Sequence, residues 1–204
     1  MNSYDVVVID YNTGNVDSVI KAVRLFGKNV ILSNDIEIIK NSKKIILPGQ
    51  GSFNYGMDQL NKLNLVKLIK TKANLDQTPI LGICLGMQIL ANLGYENKVT
   101  EGLNLIDGKV KKISTNLRLP HIGWNEVYIK KKNNLISKIE NNKDFYFVHS
   151  YYYECIEKDC IIATSTYGHE FATIINKDNI FGVQFHPEKS LKSGLQIIRN
   201  FLEL

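Results

Sequence analysis

Cys84 occupies the position in this sequence whose setting most strongly suggests chemistry. It is the central residue of Gly82-Ile83-Cys84-Leu85-Gly86, which follows a short apolar run and leads into a helical pattern. This order is typical of a nucleophile elbow, in which a strand enters a tight turn and a helix begins directly after the nucleophile. A helix N-terminus beside the sulfur favours the thiolate and offers backbone N–H groups to an oxyanion. A side chain at Gly82 or Gly86 would collide with the neighbouring strand or cover the thiol. The segment alone fits a buried structural cysteine equally well.

His186 and Glu188 are candidates for the partners that a thiol nucleophile needs, namely a base and a group that orients the base. They follow the apolar run 180–185 and are separated only by Pro187, which restricts the turn between them. At the end of a strand, both side chains can project from the edge where βα loops form active sites. The sequence therefore predicts Cys84 as nucleophile, His186 as base and later acid, and Glu188 as the group that orients the imidazole.

A second turn, Pro48-Gly49-Gln50-Gly51, follows another apolar run. Its two glycines permit unusual dihedral angles and close approach of a ligand, so a backbone N–H could point into a site. A plain tight turn between a strand and a helix explains the same residues equally well.

The elements that must position these residues alternate between strand and helix in the first half of the chain. Largely apolar runs at 4–9, 29–32 and 44–47 are separated by helical patterns, of which the first ends at Gly27. Such alternation predicts βαβ units and a mainly parallel central sheet flanked by helices, an α/β fold. From Gly102 onward we expect antiparallel or mixed strands and then a terminal helix over 191–202. The strand-like runs of this half are 108–113, 125–129, 145–150, 161–165, 172–175 and 180–185.

Length and composition restrict the class of protein. With 204 residues, 44% hydrophobic and 22% charged, the chain is expected to form a single domain over 1–204. The net charge of +5 is spread along the chain without a nucleic-acid-binding motif, so no nucleic-acid partner is expected. Three cysteines without a Cys-x-x-Cys pair argue against a disulfide framework and against a metal site. No apolar run approaches the length of a membrane span, which predicts a soluble, cytoplasmic protein without a membrane partner.

The motifs together resemble a known family. Pro-Gly-x-Gly, Gly-x-Cys-x-Gly-x-Gln and His-Pro-Glu occur in this order over nearly the full chain, as in class I, triad-type glutamine amidotransferases, whose fold is flavodoxin-like. Pro-His-Ile-Gly-Trp-Asn at 120–125 and Phe-Val-His-Ser-Tyr at 147–151 resemble the HisH subfamily, the glutaminase subunits of imidazole glycerol phosphate synthase.

The resemblance implies roles for further residues. Gly51 and Leu85 would supply the backbone N–H groups of the oxyanion hole. Other matched positions would bind glutamine or face a partner subunit, but Gln88 also fits a solvated helix residue, Trp124 a core aromatic and Lys189 a surface charge. The glutamine-binding positions are Gly49, Gly51, Gln88, Glu96, Ser150 and Tyr151. The partner-facing positions are Asn15, Trp124 and Lys189.

The function implied is hydrolysis of glutamine without a cofactor, with the ammonia passing to a HisF-like cyclase subunit in a heterodimer. Gln50 departs from the family, which generally has a small or apolar residue there, and Tyr95 stands where the family has an acidic one. Alternatives are the same chemistry serving the amidation of a surface sugar, a free-standing γ-glutamyl hydrolase, and a binding module without catalysis.

Overall fold

The computed structural model describes residues 4–14 and 16–204. In chain order the strands are β1 (Val6–Ile9), β2 (Val30–Ser33), β3 (Ile45–Leu47), β4 (Ile80–Ile83), β5 (Leu93–Gly94), β6 (Thr100–Glu101), β7 (Gly108–Lys112), β8 (His121–Ile129), β9 (Lys143–His149), β10 (Tyr151–Cys155), β11 (Ile161–Tyr167), β12 (His169–Lys177) and β13 (Ile180–Val183). The α-helices are α1 (Asp17–Arg24), α2 (Ile36–Lys40), α3 (Phe53–Lys62), α4 (Leu65–Asn74), α5 (Leu85–Gln88) and α6 (Leu191–Glu203).

The part of the sheet that carries the candidate site is parallel. Its strand order is β2-β1-β3-β4-β13, and each neighbouring pair runs in the same direction. Ile83 at the end of β4 lies opposite Val183 at the end of β13. The residues that follow these two strands therefore emerge side by side at the carboxyl edge, where open α/β sheets place their sites. The predicted α/β fold with a mainly parallel central sheet is confirmed.

The parallel strands are apolar throughout because helices cover both faces of the sheet. In β1, Val6 and Val8 pack into the layer beneath α1 and α6. Val7 and Ile9 point the other way, into the layer beneath α3 and α4. The side chains of all four β1 residues are fully buried, which explains why the run shows no polar alternation.

The sheet continues into an antiparallel extension, as the second half of the sequence predicts. β12 runs antiparallel to β13, and β10 and β11 both pair with β12. β8 then pairs with β11 and β9. The segment between β9 and β10 lies against the elbow, so the extension supplies one wall of the candidate site.

The helix after Cys84 is shorter than its apolar pattern predicts. α5 ends at Gln88, and residues 93–94 form β5 instead of a third helical turn. The carbonyls of Ile89 and Leu90 accept backbone hydrogen bonds from Leu103 and Leu105. These bonds to a downstream segment satisfy the helix end, so apolar residues here reflect burial and not helical periodicity.

Two further elements escape the sequence pattern. The five-residue α2 is too short to show a helical period. β10 follows β9 after only Ser150, but β9 pairs with β8 whereas β10 pairs with β7. The largely apolar and aromatic run 145–153 gives no sign of this change of pairing partner. Within the described part of the chain, no helix has both the length and the apolar character needed to cross a membrane.

Candidate active site

Cys84 lies at a strained turn between β4 and α5. Its backbone angles are φ 54° and ψ −107°, a conformation that costs a non-glycine residue on the order of 1–3 kcal/mol. Two backbone hydrogen bonds hold the turn: Cys84 N–H donates to the Val183 carbonyl at 2.8 Å, and Gln88 N–H donates to the Cys84 carbonyl at 3.1 Å. The side chain is thereby fixed at the carboxyl edge of the sheet, as a nucleophile elbow requires.

The two flanking glycines leave room for this turn. A Cβ at Gly86 would overlap the carbonyl of Leu47 on the neighbouring strand β3, so the predicted collision is confirmed there. A Cβ at Gly82 would meet the backbone of Gly86, within the elbow itself and not on a neighbouring strand. Both positions need glycine because the elbow folds back tightly over its own strand.

His186 and Glu188 form a buried pair beside the elbow. Nδ1 of His186 lies 2.9 Å from Oε1 of Glu188, and both side chains are only 3% exposed. Burial by itself lowers the pKa of His186, but the side chains of Cys84 and Glu188 outweigh it and raise the pKa from 6.5 to about 10. No hydrogen bond of ordinary geometry joins Nε2 to the sulfur or to another described residue. The pair thus keeps a protonated imidazole next to the thiol at neutral pH.

The backbone around His186 is held from both sides. Its N–H donates to the Tyr146 carbonyl at 2.9 Å, and its carbonyl accepts from the Ser190 hydroxyl at 2.6 Å. Pro187 opens a short 3₁₀ turn, Pro187–Lys189, that directs Glu188 back toward the imidazole. The His-Pro-Glu sequence therefore fixes both the position and the orientation of the base.

A cleft of about 420 Å³ opens beside Cys84 and His186. Its size suits a small polar molecule such as a free amino acid. Glu188 lies behind His186 and does not line the cleft. The predicted site residues that line it are Gly51, Cys84, Leu85, Gln88, Glu96, Ser150, Tyr151, His186 and Lys189.

The Pro-Gly-Gln-Gly turn forms one side of the cleft through Gln50 and Gly51. Gly51 adopts φ 114°, which is open to glycine only. Gly49 packs beneath the turn, where a Cβ would lie 2.6 Å from the Tyr11 hydroxyl. Leu85 is the first residue of α5, so its N–H has no acceptor within the helix and is available beside the sulfur.

Gln88 and Glu96 provide polar groups at the far end of the cleft. Gln88 is 5% exposed, so it is not a solvated helix residue. Its Nε2 donates to the Tyr151 carbonyl at 2.9 Å and to Oε1 of Gln184 at 3.1 Å. Glu96 accepts from the N–H of Phe53 at 2.8 Å, and burial raises the pKa of Glu96 despite this bond. A partly desolvated carboxylate here is suited to an ammonium group.

Two of the three residues predicted to face a partner lie within the described part of the chain. Lys189 is exposed at the rim of the cleft. Trp124 lies on β8 with 48% of its surface exposed and contacts Tyr146 edge to face, so it is not a core aromatic. Asn15 lies outside the described residues.

Several residues that line the cleft or lie directly behind it were not singled out from the sequence. Gln184 is fully buried, and its Nε2 lies 3.8 Å from the Cys84 sulfur. The carbonyl of Val148 lies at the same distance on the opposite strand segment. His149 lines the cleft next to Ser150. One signal in the sequence could have identified Gln184, namely its position inside the apolar run 180–185. A buried polar side chain in such a run needs a hydrogen-bond partner.

Comparisons with known proteins agree with this geometry. Residues 7–204 match the family described as "Glutamine amidotransferase class-I". "Imidazole glycerol phosphate synthase subunit HisH" of Methanocaldococcus jannaschii is 48% identical over 199 residues, covering 97% of this chain and 98% of the relative. The protein of the same name from Pelagibacter ubique is 45% identical over 207 residues, covering 98% of this chain and 100% of the relative.

Solved structures with the same fold are more distant in sequence. A crystal structure described as a glutamine amidotransferase has a TM-score of 0.76 at 15% identity, with 97% of each chain covered. A putative GMP synthase protein from Thermoplasma acidophilum has a TM-score of 0.75 at 19% identity, covering 100% of this chain and 94% of the other. These likenesses concern the fold alone.

Proposed function

The chain belongs to the glutamine amidotransferase class-I family and, within it, to the HisH subunits, and on that premise we propose that it is the glutaminase of an imidazole glycerol phosphate synthase. The observation that carries the proposal is the strained Cys84 beside a buried His186 whose charge is held by Glu188. A thiol, a protonated imidazole and a carboxylate in this order can cleave an amide by nucleophilic catalysis.

The reaction begins when the Cys84 sulfur attacks Cδ of the glutamine side-chain amide. Negative charge develops on the amide oxygen and is stabilised by the backbone N–H groups of Gly51 and Leu85. His186 gives its proton to the departing nitrogen, so that ammonia leaves and a γ-glutamyl thioester remains. Water, deprotonated by His186, then hydrolyses the thioester to glutamate, which restores the Cys84 thiolate beside a protonated His186.

The amino-acid end of glutamine would lie toward Glu96 and Gln88. The Glu96 carboxylate is the natural partner for the α-ammonium group. The backbone at Ser150 and Tyr151 forms the adjoining wall, and Gly49 supports the oxyanion turn from below. This arrangement leaves the side-chain amide pointing to the sulfur.

The released ammonia needs a protected path, because protonation in bulk water removes its nucleophilicity. We therefore propose a HisF-like cyclase as the second subunit, docked against the exposed side chains of Trp124 and Lys189. Asn15 remains a contact predicted from the sequence. A cytoplasmic location is part of the proposal, since three free, buried cysteines suit a reducing compartment.

The test is co-expression with a HisF-like cyclase subunit, co-purification, and identification of the acceptor that consumes nitrogen from ¹⁵N-amide glutamine. Formation of ¹⁵N-labelled imidazole glycerol phosphate supports the proposal. Transfer of the label to a sugar acceptor would contradict the histidine-pathway assignment, and full glutaminase turnover by the isolated chain would contradict the need for a partner.

A further inference from the structure

Two buried histidines lie side by side on β8 and β9, next to the cleft. His121 on β8 and His149 on β9 are direct partners in the antiparallel pairing, and their side chains are joined by a 3.0 Å hydrogen bond between Nδ1 of His121 and Nε2 of His149. They are 4% and 6% exposed. The proposed hydrolysis of glutamine uses neither imidazole directly.

The groups at the two ends of the pair define the direction of its hydrogen bonds. Nδ2 of Asn125 lies 3.0 Å from the Thr166 carbonyl and 3.3 Å from Nε2 of His121, so the amide N–H donates to both. At the other end, the Tyr151 carbonyl can only accept, and it lies 2.9 Å from Nδ1 of His149. Both histidines must therefore carry their proton on Nδ1 and accept on Nε2.

The surroundings keep both rings neutral. His121 stacks between Tyr167 at 4.0 Å and Phe147 at 5.1 Å. Burial lowers its pKa to about 4. Burial also lowers the pKa of His149 to about 3, against the Tyr151 carbonyl, while the charges of His121 and His186 lower it further. A neutral pair beside His186 leaves the positive charge on His186.

The pair ends on a backbone group that also fixes Gln88. The Tyr151 carbonyl accepts from His149 and from Nε2 of Gln88, at 2.9 Å each. Gln88 in turn contacts Gln184, whose amide lies beside the Cys84 sulfur. One carbonyl thus joins the histidine pair to the side chains that line the cleft.

We propose that Asn125, His121 and His149 are positioning residues that fix the glutamine pocket by holding the Tyr151 carbonyl with a chain of hydrogen bonds running in one direction. The proposal rests on the proposed glutaminase activity and adds residues to that site. Reversing the direction of these hydrogen bonds would leave two acceptors, Nδ1 of His149 and the Tyr151 carbonyl, facing each other. Their repulsion would displace the backbone at Tyr151 without any change at Cys84.

The first test replaces Asn125 with aspartate, which offers an acceptor to Nε2 of His121 in place of a donor. In the complex with the partner subunit, labelling of Cys84 by the glutamine analogue 6-diazo-5-oxo-L-norleucine should slow by about 10- to 100-fold. Labelling by iodoacetamide, which needs no pocket, should change by less than about threefold. Asn125→Ala removes the donor without reversing the direction of the hydrogen bonds, and it should slow labelling by the glutamine analogue less than Asn125→Asp does. Asn116→Asp, at an exposed turn, is the matched charge control and should change neither rate.

The second test needs no variant. The ¹⁵N chemical shifts of the four histidines in the labelled wild-type chain report protonation and tautomer directly. His121 and His149 should both be neutral and protonated on Nδ1 from pH 5 to 8. An Nε2–H form of either, or equal slowing of both reagents in the Asn125→Asp variant, would overturn the positioning proposal. A complex of the wild-type chain with its partner subunit that reacts with iodoacetamide but not with the glutamine analogue would instead overturn the glutaminase assignment, and the positioning proposal with it.

Discussion

Two buried histidine systems border the same cleft and differ in charge. The pKa of His186 is raised to about 10, whereas those of His121 and His149 are lowered to about 4 and 3. Burial favours the neutral form in all three cases. The difference comes from the partners, because His186 faces a carboxylate and a thiol, while the other two face each other, an amide and a carbonyl.

This comparison separates two uses of one residue type in one site. A carboxylate 2.9 Å from Nδ1 keeps His186 able to give a proton to a leaving group. His121 and His149 have only neutral hydrogen-bond partners, so they stay uncharged and link Asn125 to the Tyr151 carbonyl. The hydrogen-bond partner of each imidazole, and not its burial, decides whether the imidazole can act as acid and base or can only fix the position of a neighbouring group.

Removing the imidazole of His186 should have the largest effect. His186→Asn is expected to reduce glutamine hydrolysis by the complex between about 100- and 10,000-fold, because it removes the proton donor next to the sulfur. The measurement is kcat at saturating glutamine. His169→Asn, a histidine outside the cleft, is the control. Comparable losses in both variants would mean that His186 has only a structural role.

Removing the carboxylate should come next and should bring His186 closer to the neutral pair. In Glu188→Gln, the pKa of His186 is expected to fall toward 6.5, with kcat reduced about 10- to 100-fold. The ¹⁵N shift of His186 against pH measures this directly, with the wild type protonated until the pH approaches 10. An unchanged titration curve would show that Glu188 does not hold the charge.

The opposite pKa shifts predict opposite dependences of stability on pH. The folded state binds extra protons at His186, so that contribution is fully present below pH 6.5 and is lost as the pH rises through about 10. The unfolded state binds extra protons at His121 and His149, so their contribution is present above pH 6.5 and is lost as the pH falls toward 4. Each is on the order of a few kcal/mol.

Urea unfolding at pH 5, 7 and 9 can separate the two contributions. Glu188→Gln should flatten the decline between pH 7 and 9, and His149→Gln should flatten the rise between pH 5 and 7. If both variants changed the free energy of unfolding over the same pH range, His186 and the His121–His149 pair would not have the charges assigned to them.

The smallest expected effect concerns backbone strain, which distinguishes the elbow from the histidine pair. Cys84 has a positive φ, whereas His121 and His149 lie in regular strands. Cys84→Gly should therefore be more stable than Cys84→Ala by about 1 kcal/mol, since glycine adopts this conformation without a steric penalty. Denaturant midpoints of the two inactive variants give the comparison. Equal stability, or a more stable alanine variant, would argue against strain at the elbow.

The sequence predicts the geometry around Cys84 and His186 well because that geometry is local. Gly-x-Cys-x-Gly forces the elbow within five residues, and His-Pro-Glu places the base and its carboxylate two residues apart. The apolar runs before Cys84 and His186 identify neighbouring strands without knowledge of their exact ends. The parallel half of the fold can also be predicted from local patterns, since each strand is separated from the next by a helical pattern.

The histidine pair is not predictable in this way because it depends on register. His121 and His149 are 28 positions apart and meet only through the pairing of β8 with β9. A slip of one residue would point one ring to the other face of the sheet. The short α5 and the change of partner at Ser150 are likewise set by long-range hydrogen bonds that no local pattern contains.

The central claim is that Cys84 is the nucleophile that releases ammonia from glutamine for use by a partner subunit. The most direct measurement compares Cys84→Ala with wild type in the purified complex, supplied in turn with glutamine and with ammonium salt. We predict that the variant loses product formation from glutamine and keeps product formation from ammonia at the wild-type rate. Glutamine-dependent turnover that survives in Cys84→Ala would contradict the account.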